Sequence, residues 1–391
     1  MKIVYFFPQL AKHAGTERIL IDKMNYLAEH YGYEVYALTY EQDNFPLAYP
    51  LSDKVIHVDL CVPLWHVYKY NYVKRTFIYR GLKKKLFHRF DAFISDVRPD
   101  ILIVTPYHEE ILEMALNSPH RMVRLVESHL NKRFSVDKDP IIEKFSLHRI
   151  PAWTKMRRIE KYISRFDYMV VLNQGDADDW SKYIRTKVIY NMVHLNESEV
   201  SSLENKKVLF VGRYSKQKGI PDLFRVWELV YQRHPDWQLN LYGGMAEDYE
   251  YALAEADRLQ TNIRVSTETA DIFNQYRESS IFVLTSIYEP FGLVLPEAMS
   301  CGLPVVSFDC PYGPANIIND GIDGFLIKER DINAFADRVC NLIEDTKLRQ
   351  QMGHAAIISS KRFAADKIMP EWKILFDKLV NDCHTNSDYV L

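Results

Sequence analysis

The sequence predicts an α/β chain of two doubly wound domains, each built on its own parallel sheet. Three observations carry this. Short runs rich in Val, Ile, Leu, Phe and Tyr alternate with amphipathic stretches from end to end. The runs lack polar alternation, as strands buried on both faces of a parallel sheet do. The pattern also restarts after the polar stretch from Asn196 to Lys206, and 391 residues are too many for one ordinary core.

In the first half the apolar runs lie at 2–7, 34–40, 55–60, 101–105, 122–126, 168–172 and 187–190. In the second they lie at 207–211, 238–242, 263–265, 281–285, 304–308 and 324–327. Amphipathic segments such as 17–29 and 218–233 separate them. Alternating strand and helix means βα units joined by right-handed crossovers. The expected domains are 1–197 and 205–365. A closing amphipathic helix in 366–391 carries Ile368, Trp372, Leu375, Phe376 and Leu379.

Composition narrows the function. With 26% charged residues and a formal net charge of -3, nothing calls for wholesale nucleic-acid binding. The five cysteines, Cys61, Cys301, Cys310, Cys340 and Cys383, are odd in number and widely spread. That argues against a disulfide framework or a zinc site and suits a reducing cytoplasm. Pro8 stops the apolar start, which reads as a buried strand rather than a signal peptide. No apolar run reaches the roughly 18 residues that a membrane span needs.

Open α/β sheets bind ligands beyond the carboxyl ends of their strands. After the run 281–285 comes Ser286-Ile287-Tyr288-Glu289-Pro290-Phe291-Gly292-Leu293-Val294-Leu295-Pro296-Glu297. A helix is expected to begin near Phe291–Gly292 and to carry Glu297 about two turns in. Gly292 permits close backbone approach, and the first amides of such a helix suit a phosphate. An ordinary solvated loop explains these residues about as well when they are taken alone. After 207–211, Arg213 and Lys218 flank a loop, where a guanidinium and an ammonium suit a diphosphate. After the first run, Ala14-Gly15-Thr16-Glu17-Arg18 sits at a helix start, and Gly15 allows a tight turn. No Gly-x-Gly-x-x-Gly occurs, so a nicotinamide or flavin enzyme loses its main support.

Together these pieces resemble the GT-B glycosyltransferases of family 4, which build bacterial polysaccharides and glycolipids. The resemblance is strongest over about 208–328. Its most specific element is the glutamate pair Glu289 and Glu297, with seven residues between them. Gly212-Arg213 with Lys218-Gly219 supports it, as do Cys301-Gly302-Leu303-Pro304, Gly313-Pro314 and Asp320-Gly321. The resemblance implies two Rossmann-like domains facing a central cleft, with the last helix crossing back onto the first. It also implies a retaining hexosyl transfer from a nucleotide-diphosphate sugar, most commonly a uridine diphosphate sugar, without a metal or other cofactor. Arg213 and Lys218 would hold the diphosphate. Glu297 would bind the ribose, and Glu289 the donor sugar. Phe291, Gly292 and Leu293 would offer amides to the sugar and distal phosphate. Gly15 would admit the diphosphate, and His129 would face the sugar. Pro290 and Ala14 depart from the family's usual glycines.

The family places the acceptor, a saccharide or lipid-linked saccharide, on the first domain. There, residues 66–90 hold eight Lys and Arg, no Asp or Glu, and interleaved aromatics. Residues 153–165 form a second basic stretch. A solvated helix face explains such segments as well as an anionic membrane surface does. The expected location is the cytoplasm, at the inner face of the cell membrane where this patch engages. Asp137-Lys138-Asp139 and Asp176-Ala177-Asp178 read as structural rather than metal-binding. The rival readings are a sugar phosphorylase or epimerase on the same fold, and a non-catalytic sugar-nucleotide binder.

Overall fold

The computed structural model describes residues 1–385 apart from 13, 107, 130–131, 133–149 and 270. Two compact units emerge: Met1–Tyr190 with Met369 onward, and Asn191–Ile368.

The first unit holds seven strands, β1 (Lys2–Phe6), β2 (Glu34–Thr39), β3 (Val55–Asp59), β4 (Ile101–Val104), β5 (Val123–Glu127), β6 (Tyr168–Val171) and β7 (Thr186–Val188). All pair in parallel, in the order β3-β2-β1-β4-β5-β6-β7. Each predicted run of this half overlaps one of these strands. Ile101, Leu102, Ile103 and Val104 are all buried, because helices cover both faces. Strand order reverses between β1 and β4, which opens a crevice at their carboxyl ends.

Helices supply the cover. Gly15–His30 buries Ile19, Leu20, Met24 and Leu27 as a stripe, and Lys23 lies within that stripe. Tyr72–Val97 starts on an Asn71 side chain that accepts from the Lys74 amide, and ends on a left-handed Arg98. Its second half enters the core: Leu86, Phe90 and Ile94 are fully buried, and Phe90 stacks on Phe6 with ring centroids 4.8 Å apart. Burying one such side chain contributes roughly 1.5–3 kcal/mol. The closing helix is Ala365–Thr385, longer than the apolar pattern suggests, with Pro370 inside it.

The second unit holds β8 (Lys207–Val211), β9 (Gln238–Tyr242), β10 (Ile263–Ser266), β11 (Ile281–Leu284), β12 (Val305–Phe308) and β13 (Gly324–Ile327). These too are parallel, in the order β10-β9-β8-β11-β12-β13, and every run of the second half overlaps one. The reversal here falls between β8 and β11. The polar stretch 196–206 is not a free linker. Asn196 N donates to Ser300 Oγ at 2.9 Å, and Ser201 N to Cys301 O at 2.8 Å. The buried Arg349 guanidinium donates to the carbonyls of Leu203, Leu342 and Ile343. Those bonds assign the stretch to the second unit and set the division at 190/191.

Candidate functional site

The reversal between β8 and β11 makes two loops neighbours, 212–219 after β8 and 285–293 after β11. Main-chain and side-chain bonds lock them together. Thr285 Oγ1 donates to the Lys218 and Gly219 carbonyls at 3.1 and 3.2 Å. Ile287 N donates to Gln217 O at 2.8 Å, and Gln217 Nε2 to Tyr288 O at 3.0 Å. Gly219 sits at φ +64, and a Cβ there would lie 2.2 Å from Thr285 O, so only glycine fits.

This locking brings Lys218 onto Glu289. The ammonium donates to Glu289 Oε1, and the two side chains are 13% and 6% exposed. Ser286 Oγ donates to the same oxygen at 2.7 Å. The Glu289 backbone is held as well: its amide donates to Pro311 O, and its carbonyl accepts from Tyr312 and Gly313. Burial raises the Tyr288 pKa, with Glu289 adding and Arg213 opposing. Arg213 is exposed, and its guanidinium makes no hydrogen bond or ion pair among the described residues. A paired ammonium and an unpaired guanidinium thus share one strand-end loop.

Glu297 lies on the short helix Val294–Ser300, in its first turn rather than two turns in. The expected start at Phe291–Gly292 is displaced because Gly292 takes φ +94 and Phe291 turns inward. The Phe291 ring is buried edge-on against Phe363, with centroids 5.4 Å apart. Leu293 precedes the helix as its cap residue. Glu297 Oε2 accepts from Tyr276 Oη at 3.1 Å, in a buried setting. Tyr276 and Ser286 were not among the residues that the sequence singled out, since a lone Tyr or Ser between apolar runs carries no signal.

In the first unit, Gly15 is the exposed first residue of its helix. His129 follows the end of β5 by two residues and is buried. Its Nε2 lies 2.8 Å from Glu127 Oε1, which also accepts from the Lys23 ammonium. Burial raises the Glu127 pKa, but Lys23 and His129 outweigh it and hold the carboxyl at about 2. Burial lowers that of Lys23, against the pull of Glu127. Lys23 also lies over the Trp372 ring, 3.9 Å from its centroid. One sign of Lys23 was legible: a lysine on the apolar stripe of a helix needs a buried partner.

Asp176 accepts from the Lys132 amide, and Asn173 caps the helix Gln174–Trp180 through the Asp176 amide. These bonds account for its burial structurally. Asp137 and Asp139 lie outside the described residues.

Residues 195–358, most of the second unit, match the family model of glycosyl transferases group 1. The chain is a glycosyltransferase whose second unit resembles the group 1 family. This glycosyltransferase is 28% identical, over 95% of its length and 99% of the relative's, to an uncharacterized glycosyltransferase of Haemophilus influenzae. It is 28% identical to the poly(ribitol-phosphate) alpha-N-acetylglucosaminyltransferase of Staphylococcus aureus, over 56% of its own length and 47% of that protein's. Among solved structures, S. aureus TarM in complex with UDP superposes with a TM-score of 0.76 at 14% identity, over 96% of this chain and 99% of TarM. Anabaena HepE in complex with UDP gives 0.72 at 20% identity, over 97% and 100%. The glycosyltransferase therefore has the GT-B fold.

Proposed function

We propose that this glycosyltransferase moves a hexosyl unit, with retention, from a uridine diphosphate sugar to a saccharide or lipid-linked saccharide in bacterial surface polysaccharide or glycolipid synthesis. The observation that carries the reading is the cationic loop after β8, Arg213 with Lys218, set beside the buried carboxylates Glu289 and Glu297 after β11. Relatives named for polysaccharide and teichoic-acid chemistry, and neighbours that bind UDP, support it.

In this reading the acceptor hydroxyl oxygen forms a bond to the anomeric carbon on the face from which the diphosphate leaves. The bond from that carbon to the diphosphate breaks, and the hydroxyl proton passes to the departing diphosphate oxygen. Charge grows on the diphosphate, where Arg213 and Lys218 stabilise it. Glu289 holds Lys218 and accepts from sugar hydroxyls. Glu297, oriented by Tyr276, accepts from the ribose. Gly15 and the backbone at Phe291–Leu293 give the phosphates close approach, and His129 contacts the sugar. Cation charge and positioning do the catalytic work, so the scheme calls on no metal.

A thermal-shift panel of nucleotide sugars tests this on wild type, Glu297→Ala and Arg213→Ala. A ligand at a hundred times its Kd adds about 2.7 kcal/mol. A UDP-sugar should raise the wild-type melting temperature and leave both variants unmoved. An equal shift in the variants would refute the site. A shift with turnover of sugar nucleotide and no acceptor would favour a phosphorylase or epimerase instead.

A further inference from the structure

We propose that Glu127, clamped by Lys23, is a positioning residue that sets the orientation and hydrogen-bonding state of His129. The inference rests on the reading of His129 as a sugar-contacting residue.

The three groups come from distant parts of the first unit. Lys23 projects from the third turn of the helix that Gly15 opens, Glu127 ends β5, and His129 follows it. Lys23 and Glu127 are both 2% exposed, and His129 is 3% exposed. Around them stand the Trp372 ring over Lys23 and the Tyr5 hydroxyl of β1. Burial, with the charge on Glu127 adding to it, pushes the Tyr5 pKa far up, so Tyr5 stays neutral. Among the described residues, the titratable groups of this cluster include Tyr5, Lys23, Glu127 and His129.

A buried ion pair is a poor stability device. Taking two charges out of water costs about as much as their attraction returns, and apolar replacements of similar size are often neutral or better. Here the shared atom is Glu127 Oε1, which takes both the Lys23 ammonium and His129 Nε2. An ionised carboxylate can only accept hydrogen bonds. At 2.8 Å the contact is within hydrogen-bond reach, and beside an ionised carboxylate it is favourable when His129 Nε2 carries the hydrogen. Lys23 enforces this by keeping Glu127 ionised. A carboxylate that fixes an imidazole in one tautomer is a known device of catalytic sites. The same pair ties the helix begun by Gly15 to the strand end bearing His129, so two predicted donor-facing segments share one buried anchor.

Two paired variants of the full chain test this. Lys23→Met with Glu127→Leu removes both charges and the acceptor oxygen, leaving no buried charge unpaired. Lys23→Met with Glu127→Gln removes the charges but retains an amide oxygen for Nε2–H. With the nucleotide sugar found by thermal shift, the Met/Leu variant should keep the donor KM and lose about 10- to 100-fold in kcat, the size seen when an orienting partner is removed. The Met/Gln variant should recover most of that loss. Histidine 15N spectra should show a hydrogen on His129 Nε2 in wild type, with the resonance assigned from His129→Ala. A Met/Leu variant with wild-type kcat, or a wild-type Nε2 without hydrogen, overturns the proposal. If His129→Ala is impaired while Met/Leu is not, the proposal alone falls. If His129→Ala transfers sugar at the wild-type rate, the role of His129 falls, and the proposal with it.

Discussion

Lys218 and Glu289 stand 71 residues apart in the chain and meet as a nearly buried ion pair, Nζ on Oε1. The contact exists because β8 and β11 are neighbours in the sheet, so the loops leaving them share one strand-end crevice. The pair gives the loop a cation already desolvated and aimed. Close by, Arg213 remains exposed. One cation is thus pre-positioned at the cost of its own pairing, while the other keeps full freedom to close on an anion.

This predicts an asymmetry between single and double substitution. Lys218→Met leaves the Glu289 carboxylate buried with Ser286 as its one side-chain donor among the described residues, and should destabilise the chain by about 3 kcal/mol. Adding Glu289→Gln should restore most of the stability while sugar transfer stays lost. Urea melts read the first effect, and donor turnover the second. If the single and double variants unfold at the same urea concentration, the pair is not the constraint inferred here.

The strands were legible because parallel-sheet strands are continuous apolar runs, and those runs read the same in sequence and structure. Their ends were less so: Thr105 and Leu172 extend the apolar runs but lie beyond β4 and β6. Arg213, Lys218, Glu289 and Glu297 stand out because ligands of open α/β sheets bind beyond the strand ends and because their spacing resembles a known family's. What local pattern could not show was partnership. Lys23 and Glu127 lie 104 residues apart, and neither bears a mark that names the other. The helix carrying Glu297 was placed too early because φ +94 at Gly292 is a tertiary choice, set by Phe291 packing on Phe363. Polarity at 196–206 suggested a linker. Its polar atoms are instead spent on bonds to Ser300, Cys301 and Arg349.

The basic and aromatic segment divides in two. Phe90 is core and Tyr79 bonds Glu110, but Tyr68 is 77% and Phe77 70% exposed. Lys69, Lys74 and Arg75 lie over the rings of Trp65, Tyr70 and Tyr68. Arg80, Lys83, Lys84, Phe87 and His88 line a groove of about 510 Å³ on the same helix. In the second basic stretch, Arg158 is engaged by Glu109 at 3.0 Å, while the Trp153 side chain lies outside the described residues. Among the described residues no helix is long and apolar enough to cross a membrane. We propose surface contact with anionic lipid through 66–90, aided by 153–165. Wild type should float with anionic vesicles at low salt and dissociate as salt screens the attraction. Tyr68→Ser with Phe77→Ser should weaken flotation without lowering the melting temperature. Equal recovery with neutral vesicles, or none with anionic ones, would count against it.

Glu127 also sets an acid limit on stability. Its carboxyl is held at about 2 in the folded chain against an ordinary 4.5, so the unfolded chain binds more protons between those values. The stabilisation is full above about pH 4.5 and disappears as pH falls through about 2. That interval corresponds to roughly 3 kcal/mol, and the desolvation of Lys23 offsets part of it. At neutral pH the apolar packing of Lys23→Met with Glu127→Leu should make up for what the pair contributes, so the variant should melt near the wild-type temperature. On acidification wild type should lose its melting temperature more steeply than the variant, because only wild type must protonate a buried carboxylate paired with Lys23. Differential scanning calorimetry over this range reads both slopes. Parallel slopes would mean that Glu127 does not keep its charge inside the fold, which would also remove the basis for its hold on His129.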